Sequence, residues 1–141
     1  MRVNEIEIVD ARLPLSRLDG AQTYIVAWDC GDPVGHAHVA WTGTKVGVPE
    51  VQDLFVRPER RREGIATELT RAAERLAVGR GYERLSLGFG VDNVAARRLY
   101  GKLGYRDAGL PPERHLRTIL IRSRPVDIDD TVVYLVKDLE R

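Results

Sequence analysis

The chain has 141 residues, of which 43% are hydrophobic and 30% charged, with a formal net charge of +1. This length suits one domain over residues 1–141, and the near-neutral balance excludes nucleic-acid or membrane binding driven by overall charge. Cys30 is the only cysteine, which excludes an internal disulfide and a thiolate metal cluster. Residues 1–10 lack the apolar core of a signal peptide, and no apolar run approaches the ~20 residues that span a bilayer, so we expect a cytoplasmic protein.

The first half of the chain is predicted to consist mainly of strands. Four segments carry strand-type patterns and are separated by turn residues or proline, namely 3–9, 23–28, 34–41 and 50–56. The polar stretch from Arg12 to Gln22 leaves room for at most one short helix, which Pro14 weakens. The fourth strand is expected to end at Arg57-Pro58, because a residue before proline avoids the helical region.

The second half alternates helix and strand. The spacing of apolar residues, with Asp92 or Asn93 as the cap of the second helix, predicts helix 64–78, strand 85–89, helix 93–103, strand 118–121 and strand 132–136. Such an order predicts a mixed sheet covered by helices. Binding sites in sheets of this kind lie beyond the carboxyl ends of parallel strands, which here follow Val56 and Phe89.

The turn before the first helix, Arg61-Arg62-Glu63-Gly64-Ile65-Ala66, carries the strongest functional signal. Glycine and alanine at a helix start expose backbone N–H donors. These donors, the positive end of the helix dipole and the surrounding arginines suit a pyrophosphate. The spacing matches neither the phosphate loop of ATPases nor the GxGxxG pattern, which disfavours ATP and dinucleotides. The alternative is a solvated basic loop.

Two blocks of the sequence resemble the GNAT superfamily of N-acetyltransferases. Val56-Arg57-Pro58, followed by the Arg61–Ala66 turn, is similar to the acetyl-CoA motif of that family, with Ala66 in place of the commoner second glycine. The second signature is resembled by Asn93, Ala96, Tyr100 and Gly104-Tyr105. Both blocks stand in the family's order and separation. The resemblance implies an α/β fold whose mixed, mostly antiparallel sheet contains a splayed parallel strand pair and is flanked by helices.

The resemblance also implies acetyl-CoA as co-substrate, wedged between the two parallel strands. Its pyrophosphate would rest on backbone N–H groups of the turn, and its pantetheine arm would pair with the fourth strand. The residues implied for cofactor binding are Leu54, Phe55, Val56, Arg61, Arg62, Glu63, Gly64, Ile65, Ala66, Thr67, Asn93 and Tyr100. For Asn93, a role as a simple helix cap is an equal alternative.

The implied reaction is direct transfer of the acetyl group to a primary amine in a ternary complex, without a metal or a covalent enzyme intermediate. The Val56 N–H would polarise the thioester carbonyl, and Tyr100 would protonate the departing thiolate. Glu50 matches the glutamate that removes the amine proton through water in the histone-acetylating branch, and Asp53 is a weaker candidate. Tyr100 as a core residue and Glu50 as a surface carboxylate at a strand entry are the alternatives.

The sequence leaves the acceptor amine open between a small molecule, an antibiotic, a polyamine, a peptide N-terminus and a protein lysine. Asp127, Asp129 and Asp130 are predicted to form an acidic loop, either solvated or lining a channel that attracts a cationic amine. The N-terminal region is short for the family, so the acceptor cleft would be open or completed by a second subunit in a homodimer.

A non-catalytic acyl-CoA-binding sensor or regulatory module on the same fold is the main alternative function. A basic nucleic-acid-binding module is disfavoured, because the Arg cluster lacks interleaved aromatic residues. A metal site is disfavoured as well, because His36 and His38 share one face of a strand without a nearby third ligand.

Overall fold

The computed structural model describes residues 7–11 and 22–140, which form one eight-stranded sheet and two α-helices. In chain order the elements are β1 (Glu7–Ala11), β2 (Gln22–Asp29), β3 (Asp32–Ala40), β4 (Glu50–Val56), α1 (Ile65–Gly79), β5 (Arg84–Gly90), α2 (Val94–Lys102), β6 (Arg106–Asp107), β7 (Glu113–Ile121) and β8 (Arg124–Asp138). The strands follow the order β1-β2-β3-β4-β5-β8-β6, and β7 pairs with β8.

The middle of the sheet contains a pair of parallel strands that separate. All other strand pairs are antiparallel, whereas β4 and β5 run parallel and are in register only at Glu50 with Ser86 and at Val51 with Leu87. Beyond Val51 the two strands no longer pair, so a gap opens between their carboxyl ends. The predicted mixed, mostly antiparallel sheet with a splayed parallel pair is therefore confirmed.

A bulge in β4 accompanies this separation. His38 pairs with Gln52 but His36 pairs with Phe55, so β4 carries one more residue than β3 over the same length. Asp53, within the bulge, has a φ of 52°, a left-handed conformation that interrupts the strand pleat. A bulge bends its strand and increases the local twist, which here directs the end of β4 away from β5.

Helix α1 covers one face of the sheet with an apolar stripe that includes Ile65, Leu69 and Ala73, all of them buried. The helix lies close to β3 at Gly35, where an added Cβ would stand 3.2 Å from atoms of both Ile65 and Leu69. Beyond its last turn, Gly81 adopts a φ of 87°, and the N–H groups of Gly81 and Tyr82 donate to Val78 and Ala77. This glycine-ended cap fixes the path of the chain into β5.

One prediction about the chain's course is wrong. The segment with Asp127, Asp129 and Asp130 is not a loop but the first half of β8, paired with β7. The connection is a two-residue turn, Arg122-Ser123, whose φ angles of 51° and 63° suit a tight hairpin. The strands predicted over 118–121 and 132–136 are thus parts of two longer strands.

The remaining helix and strand boundaries lie near the predicted ones, and two short elements were not predicted. The first strand spans Glu7–Ala11, while the predicted start at 3–6 and the short helix expected within 12–21 lie outside the described residues. A single 3-10 turn over Pro58–Arg60 and the two-residue strand β6 were not predicted. No helix within the described ranges is long and apolar enough to cross a membrane.

Candidate active site between the splayed strands

A cavity of about 740 Å³ occupies the gap between β4 and β5 and continues to the N-termini of α1 and α2. Among the residues predicted to bind the cofactor, those that line it are Leu54, Phe55, Val56, Arg61, Arg62, Gly64, Ile65, Ala66, Thr67, Asn93 and Tyr100. The exception is Glu63, whose side chain pairs with Arg60 at 2.9 Å. The fold thus brings two sequence blocks that are distant along the chain to opposite walls of one cavity.

The floor at one end of the cavity is the first turn of α1. Gly64 precedes the helix with a φ of 88°, and the first backbone bond of the helical ladder runs from Glu68 N–H to Gly64 C=O. The N–H groups of Ile65, Ala66 and Thr67 precede that bond and have no place in the ladder. Three such donors at the positive end of a helix dipole are suited to accept an anion.

The arginines of the turn have different roles. Arg60 is held in place by Asp29 at 2.8 Å and by Glu63 at 2.9 Å, so it fastens the turn to the end of β2. Arg61 donates from Nε to the Val56 carbonyl at 3.0 Å and lies over the Phe55 ring, while Arg62 is exposed at the cavity. Arg61 and Arg62 are therefore the cations that a bound anion would meet at the rim.

The backbone of Val56 faces the gap. Arg57 N–H donates to the Val34 carbonyl at 3.0 Å, so Arg57 directs its backbone groups toward β3. Backbone groups of successive strand residues point in opposite directions, which turns the N–H and C=O of Val56 away from β3 and toward β5. The bond from Arg61 Nε to the Val56 carbonyl agrees with this direction. Val56 thus presents a backbone donor to the cavity.

Tyr100 lies on α2 at the cavity wall and is 7% exposed. Its ring packs against Phe89 and, edge-on, against Tyr105. Burial raises the pKa of Tyr100 to about 12, and the hydroxyl of Thr70 opposes part of that effect. Since the phenol stays protonated at neutral pH, Tyr100 can donate a proton or a hydrogen bond into the cavity.

Asn93 caps α2 and lies at the cavity wall. Its Oδ1 accepts from the Ala96 N–H at 3.0 Å and so caps α2, and the residue also lines the cavity. The oxygen of the amide is used within the helix. The side chain can therefore offer its NH2 group to a bound molecule.

Glu50 stands apart from the other predicted residues, at the neck where β4 and β5 still pair. It is 8% exposed and faces the side of the sheet opposite Val51, whose side chain belongs to the core. Its Oε2 accepts from Gln52 Nε2, whereas Oε1 has no hydrogen-bond partner within residues 7–11 and 22–140. Burial raises the pKa of the neighbouring Tyr134, and the carboxylates of Glu113 and Glu50 add to that effect.

Two parts of the site were missed from the sequence. The wall contributed by β5 consists of Leu87, Gly88, Phe89 and Gly90, which the periodicity identified only as strand residues. The hydrogen bonds that join Glu50, Gln52 and His38 depend on strand register, which the sequence pattern does not determine. Across the described part of the chain, no group of three or more His, Cys, Asp and Glu residues is arranged to hold a metal ion.

A model of the acetyltransferase (GNAT) family matches residues 4–105. The chain belongs to this family. The sequence is 37% identical over 90 residues to a mycothiol acetyltransferase from Amycolatopsis mediterranei, and the alignment covers 61% of this chain. It spans only 27% of the length of that relative.

Solved acetyltransferase structures share the fold over nearly the whole length of this chain. An IAA acetyltransferase from Bacillus cereus superposes with a TM-score of 0.71 at 20% identity, covering 94% of this chain and 100% of its own. A GNAT family acetyltransferase from Elizabethkingia anophelis, crystallised with acetyl-CoA, gives 0.73 at 16% identity and covers 96% and 99% of the two chains. The predicted family and fold are therefore confirmed.

Proposed function

We propose that this chain is an N-acetyltransferase that transfers the acetyl group of acetyl-CoA directly to a primary amine. The observation that carries the proposal is the gap between β4 and β5, which ends at the free N–H groups of α1 and contains the backbone of Val56 and the hydroxyl-bearing ring of Tyr100. A slim, extended molecule with a pyrophosphate at one end fits the shape and chemistry of this gap. Acetyl-CoA is such a molecule. In this proposal residues 1–141 form a single N-acetyltransferase domain.

Each part of acetyl-CoA would meet a matching group. The pyrophosphate would accept from the N–H groups of Ile65, Ala66 and Thr67, with Arg62 at the rim. The pantetheine amides would pair with the unpartnered edge of β4, as an added strand does. Asn93 would contact the same arm, and the thioester would then lie between Val56 and Tyr100.

The chemistry requires that an amine lose its proton before it attacks. A lysine-like amine has a pKa of ~10.4 and is almost entirely cationic at neutral pH. In the proposed reaction, Glu50 takes that proton through water and the amine nitrogen forms a bond to the thioester carbon. The resulting oxyanion accepts a hydrogen bond from the Val56 N–H. When the C–S bond breaks, the nitrogen releases its remaining extra proton and Tyr100 donates to the thiolate, so the products are the amide, CoA thiol and one proton.

The test measures release of CoA thiol from acetyl-CoA with the wild-type protein and a panel of amines: spermidine, Nα-acetyl-lysine, kanamycin and a peptide with a free N-terminus. We expect release that depends on the amine, and a large loss of turnover in Glu50→Gln. Calorimetric binding of CoA without amine-dependent release from any member of the panel would favour the non-catalytic acyl-CoA-binding module instead.

The proposal extends to the chemical class of the acceptor but does not name one compound. We propose a small-molecule or peptide amine, and the panel is designed to separate these classes. The homodimer that would complete the acceptor cleft stays a prediction, which light scattering of the purified protein checks.

A further inference from the structure

A line of four polar side chains in contact with one another leads from Glu50 to the surface, on the face of the sheet opposite α1. Gln52 Nε2 donates to Glu50 Oε2, and Gln52 Oε1 lies 2.8 Å from His38 Nε2. On the other side of the imidazole, Nδ1 lies 3.4 Å from Asp53 Oδ2. We call Glu50, Gln52, His38 and Asp53 the carboxylate array.

The hydrogen bonds in the carboxylate array have a fixed direction. An ionised Glu50 can only accept, so the NH2 group of Gln52 must face it and the amide oxygen must face His38. His38 then has to carry its proton on Nε2, because an unprotonated Nε2 would place a lone pair against the amide oxygen. The opposite amide orientation would place Gln52 Oε1 against the carboxylate of Glu50. The protonation of His38 and the orientation of Gln52 are therefore coupled.

Packing around His38 holds the ring in the plane that this coupling requires. The Tyr24 ring stacks on His38 with centroids 5.9 Å apart and an interplanar angle of 12°. The imidazole is buried, with 8% of the residue exposed. The positive φ of Asp53 interrupts the pleat within the β4 bulge, and its carboxylate lies beside Nδ1. The bulge that widens the gap therefore also contains Asp53, the residue at the outer end of the carboxylate array.

Only one oxygen of Glu50 is used by the array. Oε2 is engaged by Gln52, whereas Oε1 is buried without a partner in the described chain. A buried carboxylate oxygen that lacks a hydrogen bond is unfavourable, because nothing replaces the water that the oxygen has lost. A carboxylate held in this state next to Val51, which lines the cavity, is suited to accept from an external donor, such as the ammonium group of an acceptor or a water molecule bound to it.

We infer that Gln52 and His38 are positioning residues for Glu50: together they hold the carboxylate so that Oε1 points to the acceptor amine. This inference rests on the proposed function, since it assigns Glu50 the removal of the amine proton. It adds two residues, on β4 and β3, that do not line the cavity and that neither family signature contains.

The kinetic test compares Gln52→Leu and His38→Leu with His38→Gln, whose amide can still donate to Gln52. We expect the two leucine variants to lower kcat by roughly tenfold to a hundredfold, part of the ~10²–10⁴ that a positioned base contributes. Their affinity for CoA should change less than twofold, and His38→Gln should recover most of kcat. His36→Leu is the matched control, because His36 also stacks on Tyr24 but lies outside the carboxylate array.

A second measurement does not depend on activity. Long-range ¹H–¹⁵N spectra of the wild-type imidazoles should show the His38 proton on Nε2, and Gln52→Leu should remove this preference. A neutral ring protonated only on Nδ1 in the wild type would overturn the inference, and so would unchanged kcat in both leucine variants. If no amine of the panel supports thiol release while the spectra show Nε2–H, the proposed function fails and the array geometry stands.

Discussion

Replacing Tyr100 by Phe isolates the hydroxyl that the proposed mechanism uses. The pKa of Tyr100 is about 12, and a thiol such as that of CoA has a pKa of ~8.5 by analogy with cysteine. Complete proton transfer to the free thiolate would therefore be uphill by about 5 kcal/mol, because each pKa unit corresponds to ~1.36 kcal/mol. We infer that Tyr100 acts mainly as a hydrogen-bond donor while negative charge develops on sulfur.

The size of the effect follows from that role. A hydrogen bond to a charged group contributes ~1.5–3 kcal/mol, so Tyr100→Phe should lower kcat by roughly tenfold to 150-fold. The ring remains, with its contacts to Phe89 and Tyr105, so CoA affinity should change little. The assay is thiol release at saturating acetyl-CoA, combined with calorimetric titration of CoA.

Tyr105→Phe provides the control for this prediction. Tyr105 is buried beside Tyr100, but its hydroxyl donates to Glu74 at 2.8 Å and it does not line the cavity. This variant should lose stability and keep kcat. Equal losses of kcat and CoA affinity in Tyr100→Phe would refute the reasoning and assign Tyr100 to packing or cofactor binding.

Three further predictions concern backbone and stability. Gly64→Ala should weaken CoA binding about tenfold, because a left-handed φ of 88° strains alanine by ~1–2 kcal/mol and shifts the N–H groups of the turn. Gly81→Ala is the control, because Gly81 has a φ of 87° at the other end of α1. This variant should lose similar stability in denaturant unfolding and bind CoA normally. Gly35→Ala should cost ~1–3 kcal/mol in the same unfolding measurement, since the new Cβ would stand 2.9 Å from the Phe55 carbonyl oxygen and 3.2 Å from side-chain atoms of α1. An unchanged midpoint would contradict this close packing around β3. Burial raises the pKa of Tyr100, so the stability that its neutral phenol contributes is complete below the unfolded pKa of ~10 and is lost as pH rises toward the folded value of about 12. Between pH 9 and pH 11 the free energy of unfolding should therefore fall by roughly 1 kcal/mol more in the wild type than in Tyr100→Phe.

The sequence could predict the elements whose signals are local. Helix α1, its glycine-ended cap and the glycine turn that precedes it follow from apolar spacing and from the special conformations that glycine allows. The Arg122-Ser123 hairpin turn was missed because both residues adopt positive φ without the glycine or asparagine that usually marks such a turn. Its absence from the prediction made a strand with three aspartates look like a loop.

The parts that could not be predicted depend on contacts between distant segments. The bulge at Asp53 and the pairing of His38 with Gln52 are properties of register, and a shift by one residue would place those side chains on the other face. Arg60 is one of the arginines around the turn, and its bond to Asp29, remote in sequence, makes it part of the scaffold. Local pattern thus identifies the residue types at the site, and tertiary pairing decides what each one does.

The separation of β4 from β5 leaves unpaired strand backbone in the middle of the sheet. Exposed strand edges readily pair with strands of other protein chains, and proteins protect them with charges, prolines or short strands. Here the unpaired backbone of β4 lies between two strands of the same sheet, where a broad partner cannot enter and a narrow, amide-bearing molecule can. A molecule that fills this slot takes the place of a missing strand, so it should stabilise the fold as well as react there. The melting temperature should therefore rise with CoA concentration as mass action requires, even in variants that no longer transfer the acetyl group.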